Sequence, residues 1–337
     1  MKILIIKPSS LGDVVQAFPV LRLLRQAHPE AQIDWWLAEN LFPLLEDDPD
    51  LGRRIPFARK GWHTSAGMRQ WCQTLGEIRD TRYDWVIDLQ GLLRSGVLTW
   101  LARGAHSVGL DLRREGARLF YDQAVSRPTD RPHAVEWYLD VAKALGLEVN
   151  QLPEAIPVRH RHRETVLRQK GDDDRPLIAL VPGARWENKR WPARHFAELT
   201  MLMDPQGTRY RFLVIGGSDD RDLAREMIGE SRSSFVDLTG QTSIPEMIEW
   251  LREAVLVITN DTGPMHIAAG LKRPVIGLFG PTDPAQTGPY GGTSEMMRID
   301  LPCAPCMKSR CRWNRHMECL EELTPKAVAA TAGRMLK

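Results

Sequence analysis

Apolar residues recur along the chain in two rhythms. Short continuous runs of aliphatic side chains alternate with longer stretches in which apolar positions return every three or four residues. That is the pattern of buried strands separated by amphipathic helices. In the first half the runs fall at residues 2–7 (KILIIK), 33–37, 85–89 and 106–109. Between the first two, residues 14–27 place Val14, Val15, Phe18, Leu21 and Leu24 close to helical spacing. A second cycle begins near residue 176, with compact runs at 177–181 (LIALV), 211–215 (RFLVI), 255–259 (VLVIT) and 274–279 (PVIGLF). PGA, GGSDD, NDTG and GPTD follow them as turns. Ligands of open α/β sheets bind beyond the carboxyl ends of the strands, so these four turns outline one site.

Residues 151–175 are rich in Pro, Arg, His and Asp and poor in large apolar side chains, and their end reads as an interdomain linker. The expected fold is α/β, with two Rossmann-like domains facing across a cleft, the architecture called GT-B. Residues 1–165 form the first domain and residues 166–322 the second. A closing helix over residues 323–337 starts at the Thr324 and Pro325 cap. A chain of 337 residues exceeds what one core usually serves, which agrees with two domains. A net charge of +2 gives no support to nucleic-acid binding. No apolar run approaches the roughly 18 residues of a membrane span, and MKILIIKP is no export signal. The expectation is a soluble chain in the reducing cytosol.

The richest chemistry lies in VITNDTGPMHIAAG, residues 257–270, where a strand runs through Asp261, Thr262 and Gly263 straight into a helix. Gly263 admits close backbone approach, and free N–H groups at a helix start favour an anion. Thr262 adds a hydroxyl, and His266 follows one turn on. An Asp/Thr cap with a satisfied histidine is the plainer alternative. In VPGARWENKRW, residues 181–191, Lys189 is a compact cation suited to a diphosphate, with Arg185 and Arg190 beside it. IGGSDD lacks the full dinucleotide fingerprint, which argues against a nicotinamide site. Asp219 or Asp220 there suits ribose hydroxyls, although acids at a helix start are common for dipole reasons alone.

In the first half, Asp13 stands where a strand meets a helix. It is a candidate general base, or else simply a helix cap. Lys7 and Ser10 are its neighbours and candidate acceptor ligands. Residues 51–76 hold Arg53, Arg54, Arg59, Lys60 and Arg69 with no acid, interleaved with Phe57, Trp62 and Trp71. Such a stretch suits a polyanion or anionic headgroups.

NDTGPMHIAAGLKRPVIGLFGPTDP resembles the signature of glycosyltransferase family 9, the ADP-heptose:lipopolysaccharide heptosyltransferases. KPSSLGDVVQAFPVLRLLR, YDWVIDLQGLLRS and PHAVEW resemble the same family, so the likeness spans roughly residues 1–290. The first two are nearer its heptosyltransferase I branch than its heptosyltransferase II branch. The resemblance implies an inverting transfer from an ADP-sugar, ADP-L-glycero-D-manno-heptose, to a Kdo-lipid A acceptor. It also implies work at the inner face of the inner membrane and no cofactor for catalysis. By position, Asp13 matches the family's base, Lys189 the lysine near the diphosphate, and Asp261, Thr262, Gly263 and His266 the donor turn. Where heptosyltransferase I usually carries two threonines after Pro-Gly, this chain has Ala184 and Arg185. Transfer to a heptose acceptor and a GT-B nucleotide-sugar 2-epimerase are the competing readings. The epimerase needs several carboxylates grouped around one sugar, and one Asp is the clearest candidate here.

Cys303, Cys306, Cys311 and Cys319 follow C-x2-C-x4-C-x7-C spacing, with His316 close by. Four thiolates so placed suit a structural zinc ion, or else they are free thiols.

Overall fold

The structure, a computed structural model, describes residues 1–57, 64–113 and 115–337. The chain divides into two compact units, Met1–Pro157 and Val158–Lys337.

The first unit runs β1 (Lys2–Ile6), α1 (Leu11–Ala27), β2 (Gln32–Ala38), β3 (Arg54–Phe57), α2 (Ser65–Thr81), β4 (Trp85–Asp88), α3 (Leu93–Ala102), β5 (His106–Asp111), β6 (Gln123–Ser126) and α4 (Ala134–Ala144). Its strands are all parallel, in the order β3-β2-β1-β4-β5-β6. The second unit runs α5 (His160–Lys170), β7 (Leu177–Val181), α6 (Ala193–Met203), β8 (Arg211–Val214), α7 (Arg221–Gly229), β9 (Phe235–Asp237), α8 (Ile244–Glu253), β10 (Leu256–Asn260), α9 (Gly263–Gly270), β11 (Val275–Leu278), α10 (Pro284–Thr287), β12 (Ser294–Met297), α11 (Glu318–Glu321) and α12 (Pro325–Met335). Its sheet, also parallel, has the order β12-β11-β10-β7-β8-β9. In each unit the first strand lies between the second and the fourth. That is the doubly wound order, with its switch point between β1 and β4 and between β7 and β10.

The central strands are buried on both faces, and their sequences show it. Ile3 to Ile6 are inaccessible, as are Leu256 to Ile258. A strand with no solvent side reads as an unbroken apolar run. The strands that the pattern did not predict, β3, β6, β9 and β12, stand at the four sheet edges. They are three or four residues long (RIPF, QAVS, FVD, SEMM) and carry polar or proline positions, as edges do.

Three expectations are corrected. The end of residues 151–175 is no linker, because α5 occupies it. This helix has one buried residue, Val166, and is held to α8 by charge. Lys170 pairs with Glu253 at 2.9 Å, and the Arg159 amide donates to Glu249 at 2.9 Å. These contacts place α5 in the second unit, so the boundary falls at Pro157 rather than at residue 165. The closing helix does start at Thr324, whose side chain accepts from Ala327. It is part of the second unit's core through Val328 and Ala332 and not a separate element. Finally, the basic stretch is not uncompensated. Arg53 is paired with Asp34 of β2 at 2.7 Å, and Asp34, fully buried, also accepts from Tyr83 at 2.6 Å. Arg54 donates to the Phe42 carbonyl, while Arg69 is exposed. Arg59, Lys60 and Trp62 lie outside the described residues.

Gly109 on β5 shows how closely the first sheet is packed beyond β4. A Cβ there would sit 2.4 Å from the ring of Tyr121, whose hydroxyl donates to buried Asp88 at 2.6 Å. Burial raises the pKa of the Asp88 carboxyl, against hydrogen bonds from Tyr121, Ser95 and the Gln90 and Gly91 amides. Gly109→Ala should displace that ring and destabilise the protein by about 1–2 kcal/mol, as overpacking does. Thermal unfolding checks this, and an unchanged midpoint would show that the ring yields freely.

Candidate active site

In the second unit the predicted donor residues gather at the carboxyl ends of β7, β8 and β10. Asn260, the last residue of β10, is fully buried and ties down the loop after β7. Its amide donates to the Pro182 carbonyl at 2.7 Å, and its oxygen accepts from the Trp191 amide at 3.1 Å. Both ends of the loop are thereby fixed to one side chain, and Lys189 stands between them. The Lys189 ammonium reaches Asp261 Oδ2 at 2.7 Å and lies over the Trp186 ring at 4.7 Å. Thr282 Oγ1, in the turn after β11, donates to the same oxygen at 2.6 Å. The turns after β7, β10 and β11 therefore meet on the Asp261 carboxylate.

Thr262 is the N-cap of α9 with extended backbone, yet its side chain makes no capping bond. Asp261 is engaged by Lys189 and Thr282. The plain helix-cap reading of this turn therefore fails for Thr262, whose hydroxyl is left for other work. Gly263 is the first helical residue, and His266 is nearly buried one turn on. Asp220 also belongs to this edge. A Cβ on Gly183 would lie 2.3 Å from its carboxylate, and one on Gly216 2.9 Å from the same side chain. The glycines after β7 and β8 thus make room for Asp220, whose Oδ2 accepts from the Gly217 amide at 2.9 Å. Arg185 is exposed on the same loop as Lys189.

In the first unit Asp13 is the third residue of α1, half-buried. Its Oδ2 accepts from the Ser10 amide at 2.8 Å and the Ser10 hydroxyl at 2.6 Å. Here the capping role is real, and Ser10 is spent on it. Lys7 is buried, its ammonium donating to the Leu89 carbonyl at 2.9 Å and lying 5.1 Å from the Tyr138 ring centre. Burial works against its charge, but Tyr138, Asp13 and Asp88 outweigh it, and its pKa ends above the ordinary lysine value. A fixed cation within electrostatic reach of Asp13 thus stands at the end of β1, beside the switch point between β1 and β4.

Asn260, Thr282 and Trp186 escaped the sequence reading. The signal for Asn260 was present: it opens the NDTG turn at the end of a strand run. Thr282 lies in the GPTD turn already placed at the site, but nothing local marked its bond to Asp261, 21 residues away.

The four clustered cysteines line one cavity of about 350 Å³ in the second unit. Burial first, and then its three cysteine neighbours, push the Cys319 thiol up to about 11. Among the described residues no three His, Cys, Asp or Glu side chains already stand as a metal-binding group.

The chain is similar to known proteins along its whole length. The model of glycosyltransferase family 9 (heptosyltransferase) matches residues 71–316. Lipopolysaccharide heptosyltransferase 1 of Pseudomonas aeruginosa is 31% identical, covering 100% of this chain and 98% of its own. Lipopolysaccharide heptosyltransferase 2 of Escherichia coli is 28% identical, covering 100% and 99%. The solved structure of E. coli heptosyltransferase WaaC with ADP superposes with a TM-score of 0.80 at 28% identity, over 99% of this chain and 100% of that one.

Proposed function

The chain belongs to glycosyltransferase family 9, the heptosyltransferases of lipopolysaccharide core synthesis, with their GT-B class of fold, and on that premise we propose a donor, an acceptor and residue roles. The donor is ADP-L-glycero-D-manno-heptose and the acceptor a Kdo-bearing lipid A. The observation that carries the donor reading is the Lys189–Asp261–Thr282 group beside the uncapped Thr262 hydroxyl. Lys189 and Arg185 offset the charge of the diphosphate, with Thr262, Gly263 and His266 contributing donors at the start of α9. Asp220 accepts from ribose hydroxyls. The relative solved with ADP supports that nucleotide.

Asp13 takes the proton of the acceptor hydroxyl as that oxygen bonds to the anomeric carbon. The bond from that carbon to the diphosphate breaks, and ADP leaves. The configuration inverts. Buried Lys7 acts on Asp13 electrostatically, holding a positive charge within reach of it. Its burial makes this a more direct role than contact with the acceptor.

Relatives of both acceptor branches align along the whole chain, at 31% and 28%. The Kdo-lipid A acceptor is favoured by the motifs near Asp13 and by the first of these relatives. A heptose acceptor is the second reading. The assay offers ADP-heptose with Kdo-lipid A and, separately, with its mono-heptosylated product, reading ADP release and product mass. Transfer to the first acceptor is expected. Transfer to the second alone would replace the acceptor, and a nucleotide sugar converted without any acceptor would overturn the transferase reading.

We place the enzyme at the cytoplasmic face of the inner membrane, as a peripheral protein. Among the described residues no helix is long and apolar enough to cross a membrane. The first unit exposes Trp100, Leu119 and Met68. Arg53 and Arg54 are already partnered, so we assign the acceptor's anions to the other cations of that stretch, Arg59, Lys60 and the exposed Arg69. Arg59→Glu with Lys60→Glu should raise the acceptor KM several-fold and leave the donor KM nearly unchanged. Exposed attraction is screened beyond about 8 Å in physiological salt, so added salt should reproduce part of the effect. Equal changes in both constants would remove these residues from the acceptor site.

A further inference from the structure

Cys303, Cys306, Cys311 and Cys319 have no part in the transfer reaction, yet the chain brings all four to one cavity. The backbone around them is specialised. Met307, directly after the C-x2-C pair, has φ of 54°, and Met317 has φ of 56°. Residues other than glycine, asparagine and aspartate seldom adopt this left-handed region. At Met317 the turn aims the amide at Cys311, donating to its Sγ at 3.4 Å. Hydrogen bonds of this kind orient and tune thiolate ligands of metals. Gly280 supplies room, since a Cβ there would lie 3.0 Å from Cys319 Sγ.

The same loop is bonded to the donor group at two points. The Met307 amide donates to the Pro281 carbonyl at 2.8 Å, and the Asn188 amide donates to the Lys308 carbonyl at 2.8 Å. Pro281 precedes Thr282, and Asn188 precedes Lys189. These are the two residues whose side chains meet on Asp261.

We propose that the four cysteines bind one thiophilic divalent ion, Zn²⁺ or Fe²⁺, and that the bound ion fixes residues 307 and 308 so that they hold Lys189 and Thr282 on Asp261. Metal occupancy is thereby coupled to donor affinity. The donor half of this inference rests on the proposed function; the metal half does not. Four soft sulfur ligands select such ions and close a tetrahedral shell. Each thiol that binds releases its proton to solvent, and the side chains turn inward to reach about 2.3 Å from the ion.

The full-length chain, purified without chelator, should carry about one ion per chain by elemental mass spectrometry, which also tells zinc from iron. Cys306→Ser with Cys311→Ser should abolish it. ADP binding by calorimetry should weaken about tenfold in that variant, within the usual range of coupling between sites. A second measurement does not depend on the variant folding. Chelator-stripped wild type titrated with Co²⁺ should develop sulfur-to-cobalt charge-transfer absorption that saturates at about one equivalent, with ADP affinity returning in step. Negligible metal together with no cobalt band would overturn the site. Metal loss that leaves ADP affinity within about twofold would overturn the coupling, since coupled sites typically differ by more. Metal-loaded wild type that fails to bind ADP at all would sink the donor reading and leave the metal site standing.

Discussion

Asp13→Asn should slow heptose transfer by at least about a hundredfold, the usual contribution of a general base, while leaving ADP affinity unchanged. The substitution is close to isosteric. An asparagine oxygen can still accept from the Ser10 amide and hydroxyl, now at 2.8 and 2.6 Å from the carboxylate, so α1 keeps most of its cap. Stability should fall by no more than about 1 kcal/mol, the typical value of an N-terminal cap. The separation between the two readouts is what tests the role. A residue that only caps α1 would lose stability and keep turnover. Unchanged turnover with a lowered unfolding midpoint would assign Asp13 to the helix alone.

Lys189→Ala is expected to weaken ADP binding at least tenfold, about 1.4 kcal/mol, because it removes the one cation bonded into the donor group. It should also destabilise the second unit. Asp261 is 6% exposed and would be left with Thr282 as its remaining partner from that group. Stranding a buried carboxylate costs about 3 kcal/mol. The double variant Lys189→Ala with Asp261→Asn removes the stranded charge. It should recover most of the lost stability and none of the lost affinity, since the two effects have different origins. If the single variant binds ADP like the wild type, Lys189 is only Asp261's structural partner.

The sequence by itself determined the centre of each sheet. β1, β4, β7 and β10 are almost wholly buried, so each carries a continuous apolar run (ILII, WVI, LIALV and LVI) closed by turn residues. It also singled out the turns proposed to carry chemistry, through a glycine entering a helix beside Asp261 and Thr262. Tertiary structure alone decided the edges, where β3, β6, β9 and β12 need a neighbouring strand to become strands at all. It decided that α5 belongs to the second unit, since one buried valine and a pair of charges cannot announce a helix face. It decided the charge balance too. Arg53 looks unopposed within residues 51–76, and its partner Asp34 lies on the adjacent strand β2, across a parallel pairing that no local pattern encodes. The site shows the same division. Lys189, Asp261 and Thr282 are each readable as polar turn residues, but their meeting on one carboxylate oxygen follows from strand order, which sets β7, β10 and β11 side by side.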